Sequence, residues 1–185
     1  MKVAIFGGSF SPVHKGHLSV ASGVLSQGLA DEVWLMPCRR NPLKTDTSLW
    51  PDETRLRLLR NAIGYWEKLK KEKRIKITEI ELGMPSPSYT YNTVKALMDK
   101  YPENEFRLLV GADSYLSFRD WNEWEWLENN LDPIVYPRPG YEIKDPLPGW
   151  TLLEGVEKID ISSTEIRKRI ARNLSVQDIM PWYNT

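Results

Sequence analysis

The sequence Phe6-Gly7-Gly8-Ser9-Phe10-Ser11-Pro12-Val13-His14-Lys15-Gly16-His17 joins a predicted strand to a predicted helix. The apolar run at residues 3–6 predicts the strand, and apolar residues at helical spacing over residues 18–25 predict the helix. Glycines at such a junction let the backbone approach a ligand closely, and the free N–H groups of a new helix favour an anion there. This stretch is therefore predicted to bind phosphate.

The same stretch contains both histidines of the chain, His14 and His17. Together with Lys15, their imidazole donors suit a phosphate chain that gains charge during a reaction. Two other interpretations stay open: a histidine pair is also half of a zinc site, and two histidines can lie on a surface without a role. A single cysteine and the absence of a third histidine argue against zinc, and the surrounding glycines argue against an idle surface.

The composition is that of a soluble globular protein. Hydrophobic residues make up 41% of 185 residues, and 25 basic residues balance 25 acidic ones. Because the net charge is zero, no nucleic acid or membrane partner is expected, and an anion site has to be built locally. The single cysteine excludes an internal disulfide, no apolar run approaches the roughly 18 residues of a membrane span, and the N-terminus shows no signal-peptide core. We expect one cytoplasmic domain over residues 1–185, with a homo-oligomer left open.

Strand and helix patterns alternate along the rest of the chain. Further strands are predicted over residues 32–36, 74–82, 106–111, 134–136 and 151–153. Helices are predicted to end near Gly28, to span residues 51–69, and to run from a cap at Thr90 to about residue 101. Strand, helix and strand within about 35 residues indicate a right-handed crossover, so we expect an α/β fold with a parallel sheet.

The second predicted strand is followed by Pro37-Cys38-Arg39-Arg40-Asn41-Pro42-Leu43-Lys44. Two prolines exclude regular structure in this loop, which carries three cations. In open α/β sheets the loops at the carboxyl ends of strands form the ligand crevice. Lys44 is therefore a candidate phosphate ligand, and a solvated basic loop is the alternative.

Another group of polar residues stands near the end of the chain, at Ile161-Ser162-Ser163-Thr164-Glu165-Ile166-Arg167. Ser162 and Glu165 make a capping box, which by itself predicts only a well-started helix. That helix is rich in cations, and its N-terminus offers N–H donors to an anion. Helix capping and phosphate binding can occur together here.

Residues 6–17 resemble the H-x-G-H signature, with its leading G-x-F-x-P, of the nucleotidylyltransferase superfamily, and residues 161–167 are similar to its I-S-S-T-x-[I/L]-R signature. Between them, Ser88-Tyr89-Thr90, Gly111-Ala112-Asp113-Ser114, Trp121 and Arg138-Pro139-Gly140 resemble segments of nicotinate mononucleotide adenylyltransferases. The resemblance spans nearly the whole chain. It implies the nucleotidylyltransferase fold, a Rossmann-like parallel sheet with helices on both faces. It departs from the family at Cys38 and at residues 41–44, where a P-P-H-K-like run is common.

The resemblance also implies roles for individual residues. Three are implied to be catalytic, by stabilising phosphate charge: His14, His17 and Arg167. Those implied to bind ATP are Gly7, Gly8, Ser9, Phe10, His14, His17, Lys44, Gly111, Asp113, Ser162, Ser163, Thr164 and Arg167. Those implied to bind the acceptor nucleotide are Lys44, Tyr89, Thr90, Trp121 and Arg138. For Trp121, stacking on a pyridine ring and simple packing both stay open. No protein metal site is implied; Mg²⁺ comes with ATP and bridges phosphate oxygens.

The implied reaction is attack by the phosphate of nicotinate mononucleotide on the α-phosphorus of ATP, giving nicotinate adenine dinucleotide and pyrophosphate. The nucleophile is already an anion at neutral pH, so alignment and charge stabilisation would supply the catalysis. Nicotinamide mononucleotide, pantetheine phosphate or another phosphate are alternative acceptors, and a non-catalytic nucleotide sensor is an alternative of a different class. The glycine run lacks the G-x-G-x-x-G spacing of dinucleotide-dependent dehydrogenases, and no P-loop motif occurs.

Overall fold

The computed structural model describes residues 1–39, 49–156, 159 and 161–184. Within these ranges the strands are β1 (Lys2–Gly8), β2 (Glu32–Pro37), β3 (Ile75–Ile77), β4 (Glu105–Gly111), β5 (Ile134–Tyr136) and β6 (Thr151–Leu152). The α-helices are α1 (Lys15–Ser26), α2 (Asp52–Lys70), α3 (Thr90–Lys100), α4 (Ala112–Leu116), α5 (Trp124–Leu131) and α6 (Ser163–Ala171). Two 3₁₀ turns lie at Ile80–Gly83 and Phe118–Asp120. No helix in the described ranges is both long enough and apolar enough to cross a membrane.

The strands form one sheet in the order β3-β2-β1-β4-β5-β6, and every neighbouring pair is parallel. The chain builds outward from β1 in one direction, returns to its centre with β4, and then builds outward in the other direction. This is the strand order of a Rossmann-like, doubly wound sheet, whose ligand crevice lies outside the carboxyl ends of the strands where the order reverses. The predicted fold class is confirmed, and the crevice is expected beyond β1 and β4.

Each face of the sheet is covered by its own hydrophobic core, because side chains of a strand alternate between the two faces. In β1, Ala4 and Phe6 belong to the core beneath α1, α2 and α6, whereas Val3 and Ile5 belong to the core beneath α3 and α5. A strand buried on both faces reads as a continuous apolar run, as residues 3–6 do. The predicted placement of helices on both faces is confirmed.

Helix α1 packs tightly against the segment that follows β6. A Cβ atom added at Gly23 would lie 2.4 Å from Cγ2 of Val156, which is too close for two carbon atoms that are not bonded to each other. Gly64, in α2, faces open space instead. Only one of these two helical glycines is therefore required by packing.

Most predicted boundaries agree with the structure to within one or two residues, and two of the differences have a clear physical reason. The third strand was predicted over residues 74–82 but ends at Ile77, because the chain then turns into the 3₁₀ segment and buries Glu81. Thr90 was predicted as the helix cap, but Tyr89 is the N-cap of α3 and Thr90 is its first helical residue. The Thr90 prediction is wrong because Tyr89, at φ −98° and ψ 140°, is the last extended residue before the helix.

Candidate active site

A cavity of about 270 Å³ opens at the carboxyl ends of β1 and β4. Nearly all the residues predicted to bind substrates line it: Gly7, Gly8, Ser9, His14, His17, Tyr89, Thr90, Gly111, Asp113, Trp121, Arg138, Ser162, Ser163, Thr164 and Arg167. The two groups of polar residues from opposite ends of the chain therefore meet in one cavity. Lys44, also predicted for this site, lies outside the described residues.

The two histidines begin α1. His14 is the N-cap residue, and its backbone N–H donates to Nδ1 of His17 over 3.2 Å. A neutral imidazole that accepts at Nδ1 carries its proton on Nε2, so His17 is fixed as an Nε2–H donor. The two rings lie 3.8 Å apart, centroid to centroid. Local helix capping thus determines which nitrogen of His17 can donate a hydrogen bond.

Both histidines are neutral at pH 7 in this structure. Burial, with a smaller contribution from Arg138, lowers the pKa of His14 to about 3. The pKa of His17 is also lowered well below its usual value, first by burial and then by the charges of His14 and Arg138. Nδ1 of His14 is buried with no hydrogen-bond partner among the described residues. The pair therefore presents neutral polar groups in the wall of the cavity.

Phe10 was predicted to bind ATP, and its side chain packs against His17 without lining the cavity. Its side chain is 1% exposed, and it is absent from the cavity wall. The ring meets Phe6 edge-on at 5.7 Å and His17 edge-on at 5.0 Å. The Phe10 side chain thus packs on the imidazole of His17, and binding of ATP by Phe10 stays a prediction.

Helix α6 is attached to the loop that precedes α1. Nη1 of Arg167 donates to the carbonyl of Ser11 over 2.7 Å, and Oγ of Ser163 donates to the carbonyl of Pro12 over 2.9 Å. Oγ of Ser162 accepts from the backbone N–H of Glu165 over 3.2 Å, so the predicted capping by Ser162 is confirmed. The N-terminus of α6 and the guanidinium of Arg167 consequently lie beside the N-terminus of α1, where both helix dipoles favour an anion.

An ion pair lies in the cavity wall, where Nη1 of Arg138 donates to Oδ2 of Asp113 over 2.8 Å. Oδ1 of the same carboxylate is buried and has no partner among the described residues. Gly111 leaves no room for a side chain here, since a Cβ atom would lie 2.7 Å from this oxygen. Asp113 and Arg138 were predicted for ATP and for the acceptor respectively, and the structure brings the two residues into direct contact.

Tyr136, at the end of β5, lines the same region and was not predicted as a site residue. Its ring meets Phe6 edge-on at 5.5 Å. Burial, opposed by the charge of Arg138, raises the pKa of Tyr136 to about 12. The phenol therefore stays protonated at neutral pH. In the sequence, the only indication of this role is that Tyr136 ends a predicted strand.

The opposite edge of the cavity carries the residues predicted for the acceptor. Tyr89 is 37% exposed, and Thr90 follows it into α3. Trp121 packs on Phe118 with ring centroids 5.2 Å apart and also lines the cavity, so its packing is observed while stacking on a ligand remains a prediction. An aromatic wall of this kind suits a flat heterocycle.

Arg55 is a buried supporting residue that was not predicted. It is 1% exposed, pairs with Asp52 at 2.6 Å and donates to the carbonyls of Ser9, Cys38 and Trp50 over 2.7, 2.9 and 3.1 Å. The arginine therefore joins the loops after β1 and β2 to the start of α2. The sequence does contain one indication of this role. Arg55 lies three and four residues before the buried Leu58 and Leu59, and a charged side chain on an apolar helix face needs hydrogen-bond partners.

Residues 5–169 match the family described as cytidylyltransferase-like. A Bacteroides fragilis protein named probable nicotinate-nucleotide adenylyltransferase is 39% identical over 178 residues, which cover 95% of this chain and 85% of that relative. A Porphyromonas gingivalis protein of the same name is 38% identical over 184 residues, covering 98% of this chain and 89% of the relative.

Solved structures also share the fold. Plasmodium falciparum nicotinic acid mononucleotide adenylyltransferase complexed with NaAD superposes with a TM-score of 0.78 at 23% identity, covering 96% of this chain and 87% of that one. At this identity the likeness concerns the fold, whereas the two bacterial relatives establish kinship over nearly the whole chain. The chain therefore belongs to the cytidylyltransferase-like family and, within it, to the nicotinate-nucleotide adenylyltransferases.

Proposed function

We propose that this chain transfers the adenylyl group of ATP to the phosphate of nicotinate mononucleotide, producing nicotinate adenine dinucleotide and pyrophosphate for NAD biosynthesis. The observation that carries the proposal is the meeting of His17, Arg167 and the N-termini of α1 and α6 in a cavity whose other edge is aromatic. The first half of this arrangement suits a polyphosphate and the second a pyridine ring. Contacts between both ends of the chain further support one domain over residues 1–185.

ATP would bind with its phosphates between the two helix N-termini. The Nε2–H of His17 and the guanidinium of Arg167 would donate to the α-phosphate and the leaving pyrophosphate, with Ser162, Ser163 and Thr164 adding hydroxyl or backbone donors. Neutral imidazoles bind phosphate by hydrogen bonding without the cost of holding two adjacent cations before ATP arrives. The unpartnered Oδ1 of Asp113 would accept from a ribose hydroxyl.

The transfer step needs a positioned nucleophile but no base. An ionised oxygen of the acceptor phosphate forms a bond to the α-phosphorus while the bond from that phosphorus to the bridging oxygen breaks, and pyrophosphate leaves with the electron pair. Negative charge grows on the oxygens around the α-phosphorus and on the leaving group. Preorganised N–H donors aimed at those oxygens lower the barrier, and alignment of the two phosphates supplies much of the rest.

Mg²⁺ would enter with ATP. Among the residues that the structure describes, no group of three or more His, Cys, Asp or Glu side chains is placed to hold a metal ion. Mg²⁺ commonly keeps several waters and binds substrate phosphates with few protein ligands, so triphosphate oxygens would supply most of its ligands. The ion would neutralise charge on the transferring and leaving phosphates.

The nicotinate form of the acceptor is proposed from the aromatic edge at Tyr89 and Trp121 and from the names of the bacterial relatives. Arg138 would approach the acceptor phosphate after exchanging part of its contact with Asp113. Because burial is outweighed by the neighbouring Tyr136 and Asp113, the pKa of Arg138 is raised and its charge is retained.

The test measures pyrophosphate release and dinucleotide formation by purified protein with ATP, Mg²⁺ and one acceptor at a time. Nicotinate mononucleotide should give the highest kcat/KM, ahead of nicotinamide mononucleotide and pantetheine phosphate, and chelation of Mg²⁺ should abolish turnover. Faster turnover of another acceptor would reassign the substrate. ATP binding without pyrophosphate release for any acceptor would instead indicate a nucleotide sensor.

A further inference from the structure

Glu81 is a buried carboxylate at the acceptor edge of the cavity, outside the residues already given a role. It lies in the 3₁₀ turn Ile80–Gly83, is 5% exposed and lines the cavity. Burial raises the pKa of Glu81, against the opposing effects of its hydrogen bonds with Ser88 and Arg39. A carboxyl group placed at such a cost needs partners that hold it.

Its hydrogen-bond partners come from the loop after β2 and from the segment that follows the 3₁₀ turn. Oε1 of Glu81 accepts from Oγ of Ser88 over 2.6 Å and from the backbone N–H of Arg39 over 3.3 Å. The guanidinium of Arg39 in turn donates to the carbonyl of Met84 over 2.7 Å. A single oxygen of Glu81 thus joins the loop after β2 to the residue that immediately precedes Tyr89.

The same hydrogen-bonded chain continues to the phosphate side of the cavity. The backbone N–H of Cys38 donates to the carbonyl of Gly8 over 2.8 Å, and Arg55 holds the carbonyls of Ser9 and Cys38. The segment at residues 88–90 is therefore connected, through Glu81, to the end of β2 and to the glycine loop after β1. In the described residues, Ser88 has Glu81 as its side-chain partner.

We propose that Glu81 is a positioning residue for the acceptor nucleotide, holding residues 88–90 in the conformation that binds it. This inference rests on the acceptor role proposed above for Tyr89 and Thr90. It predicts that loss of the Glu81 oxygen weakens acceptor binding and leaves ATP binding nearly unchanged. The proposed ATP contacts lie at the opposite edge, and the glycine loop there keeps its own hydrogen bonds with Cys38 and Arg55. The hydrogen bond matters here and the charge does not, so glutamine should substitute well.

The experiment compares Glu81→Ala, Glu81→Gln and Ser88→Ala by steady-state kinetics. For Glu81→Ala we expect the KM for nicotinate mononucleotide to rise at least about tenfold, with the KM for ATP within about twofold of wild type. Glu81→Gln keeps an acceptor oxygen and should stay within about threefold for both substrates. Ser88→Ala should raise the acceptor KM, and adding it to Glu81→Ala should cause little further change, since both remove the same contact.

Glu79→Ala is the matched control, because Glu79 lies just before the same turn but pairs with exposed Arg60 on the outer surface, at 2.6 Å. It should leave both KM values unchanged. Equal increases in both KM values for Glu81→Ala, or a lower melting temperature with an unchanged acceptor KM, would overturn the inference. A loss in Glu81→Gln as large as in Glu81→Ala would also overturn it, since the charge would then be what matters.

Hydrogen exchange separates this inference from the proposed reaction. Without any ligand, amides of residues 85–93 should exchange faster in Glu81→Ala than in wild type and Glu81→Gln, and exchange in α6 should not change. If wild type makes no dinucleotide but these amides respond as expected, the proposed function fails and the positioning of the turn stands. Unchanged exchange in Glu81→Ala would refute the positioning whatever the enzyme catalyses.

Discussion

Replacing His17 by alanine should lower kcat by about 10²-fold, which corresponds to about 3 kcal/mol of lost transition-state stabilisation. The contacts of His17 fix Nε2 as the donor atom of its imidazole. The backbone N–H of His14 occupies Nδ1, and the rings of Phe10 and Phe6 contact the imidazole with centroids at 5.0 and 6.0 Å. A donor held in this way needs no rearrangement when charge develops on the phosphate.

The fold should survive the same change. Alanine removes one backbone-to-side-chain hydrogen bond, worth about 0.5–1.5 kcal/mol, together with the aromatic contacts of one partly buried ring. A total of about 1–3 kcal/mol is small beside the 5–15 kcal/mol of a typical domain. Circular dichroism should show an unchanged spectrum with a melting temperature lowered by several degrees.

Two further variants separate the donor from the helix cap. In His17→Asn the amide can occupy the position of Nδ1 and accept from the N–H of His14, but it cannot reach the Nε2 position. In His17→Gln the amide nitrogen can take the place of Nε2. We expect asparagine to recover stability and not rate, and glutamine to recover part of the rate.

Kcat is measured with both substrates saturating, so that weakened binding does not enter the comparison. An alanine variant with full turnover would remove His17 from the mechanism. Recovery of the rate by asparagine, with none by glutamine, would show that helix capping and not donation by Nε2 explains the loss.

Three other perturbations test the structure more broadly. Because the pKa of His14 is lowered to about 3 while an unfolded histidine titrates near 6.5, the unfolded chain binds more protons between these values. The free energy of unfolding should therefore fall as the pH is lowered from 6.5 towards 4.5, and His14 should contribute up to about 1.4 kcal/mol per pH unit to this fall. Urea titrations of His14→Gln should show a smaller fall over the same pH range. Gly23→Ala should lower the stability measured by thermal unfolding by about 1–3 kcal/mol, because its Cβ atom would lie 2.4 Å from Cγ2 of Val156. Gly64→Ala places its Cβ atom in open space and should raise the stability by up to about 1 kcal/mol. Equal effects of the two substitutions would contradict the packing described for α1. Arg55→Met leaves three loop carbonyls without their donor, so the melting temperature should fall and the KM for ATP should rise; an unchanged ATP KM would show that these loops do not depend on the arginine.

The sequence predicted the sheet well because its central strands are buried on both faces. Residues 3–6 and 106–111 have few polar positions, and a short glycine junction and a crossover helix leave little choice of topology. The third strand was predicted too long because isoleucines continue past Ile77 to Ile80. Apolar residues at those positions do not reveal that the chain turns there, since the turn is held by hydrogen bonds of Glu81 with Ser88 and with the distant Arg39.

Short motifs predicted residues that line the cavity, whereas supporting residues whose partners are far away in the sequence were missed. His14, His17 and Arg167 stand in motifs that can be read locally, and all three line one cavity. Arg55 and Glu81 act through backbone carbonyls and N–H groups of other loops, which no side-chain pattern announces. Phe10 belongs to a motif, but its side chain is absent from the cavity wall, because a motif fixes the backbone path and not which side chains face the cavity.

The fastening of α6 to the loop before α1 has a consequence for the making of the protein on the ribosome. Contacts from Arg167 to Ser11 and from Ser163 to Pro12 span 156 and 151 residues of sequence. Until translation has passed these late residues, the loop before α1 lacks its hydrogen bonds with α6, even where β1 and β2 have already paired. The proposed ATP site is therefore completed only when almost the whole chain has been synthesised.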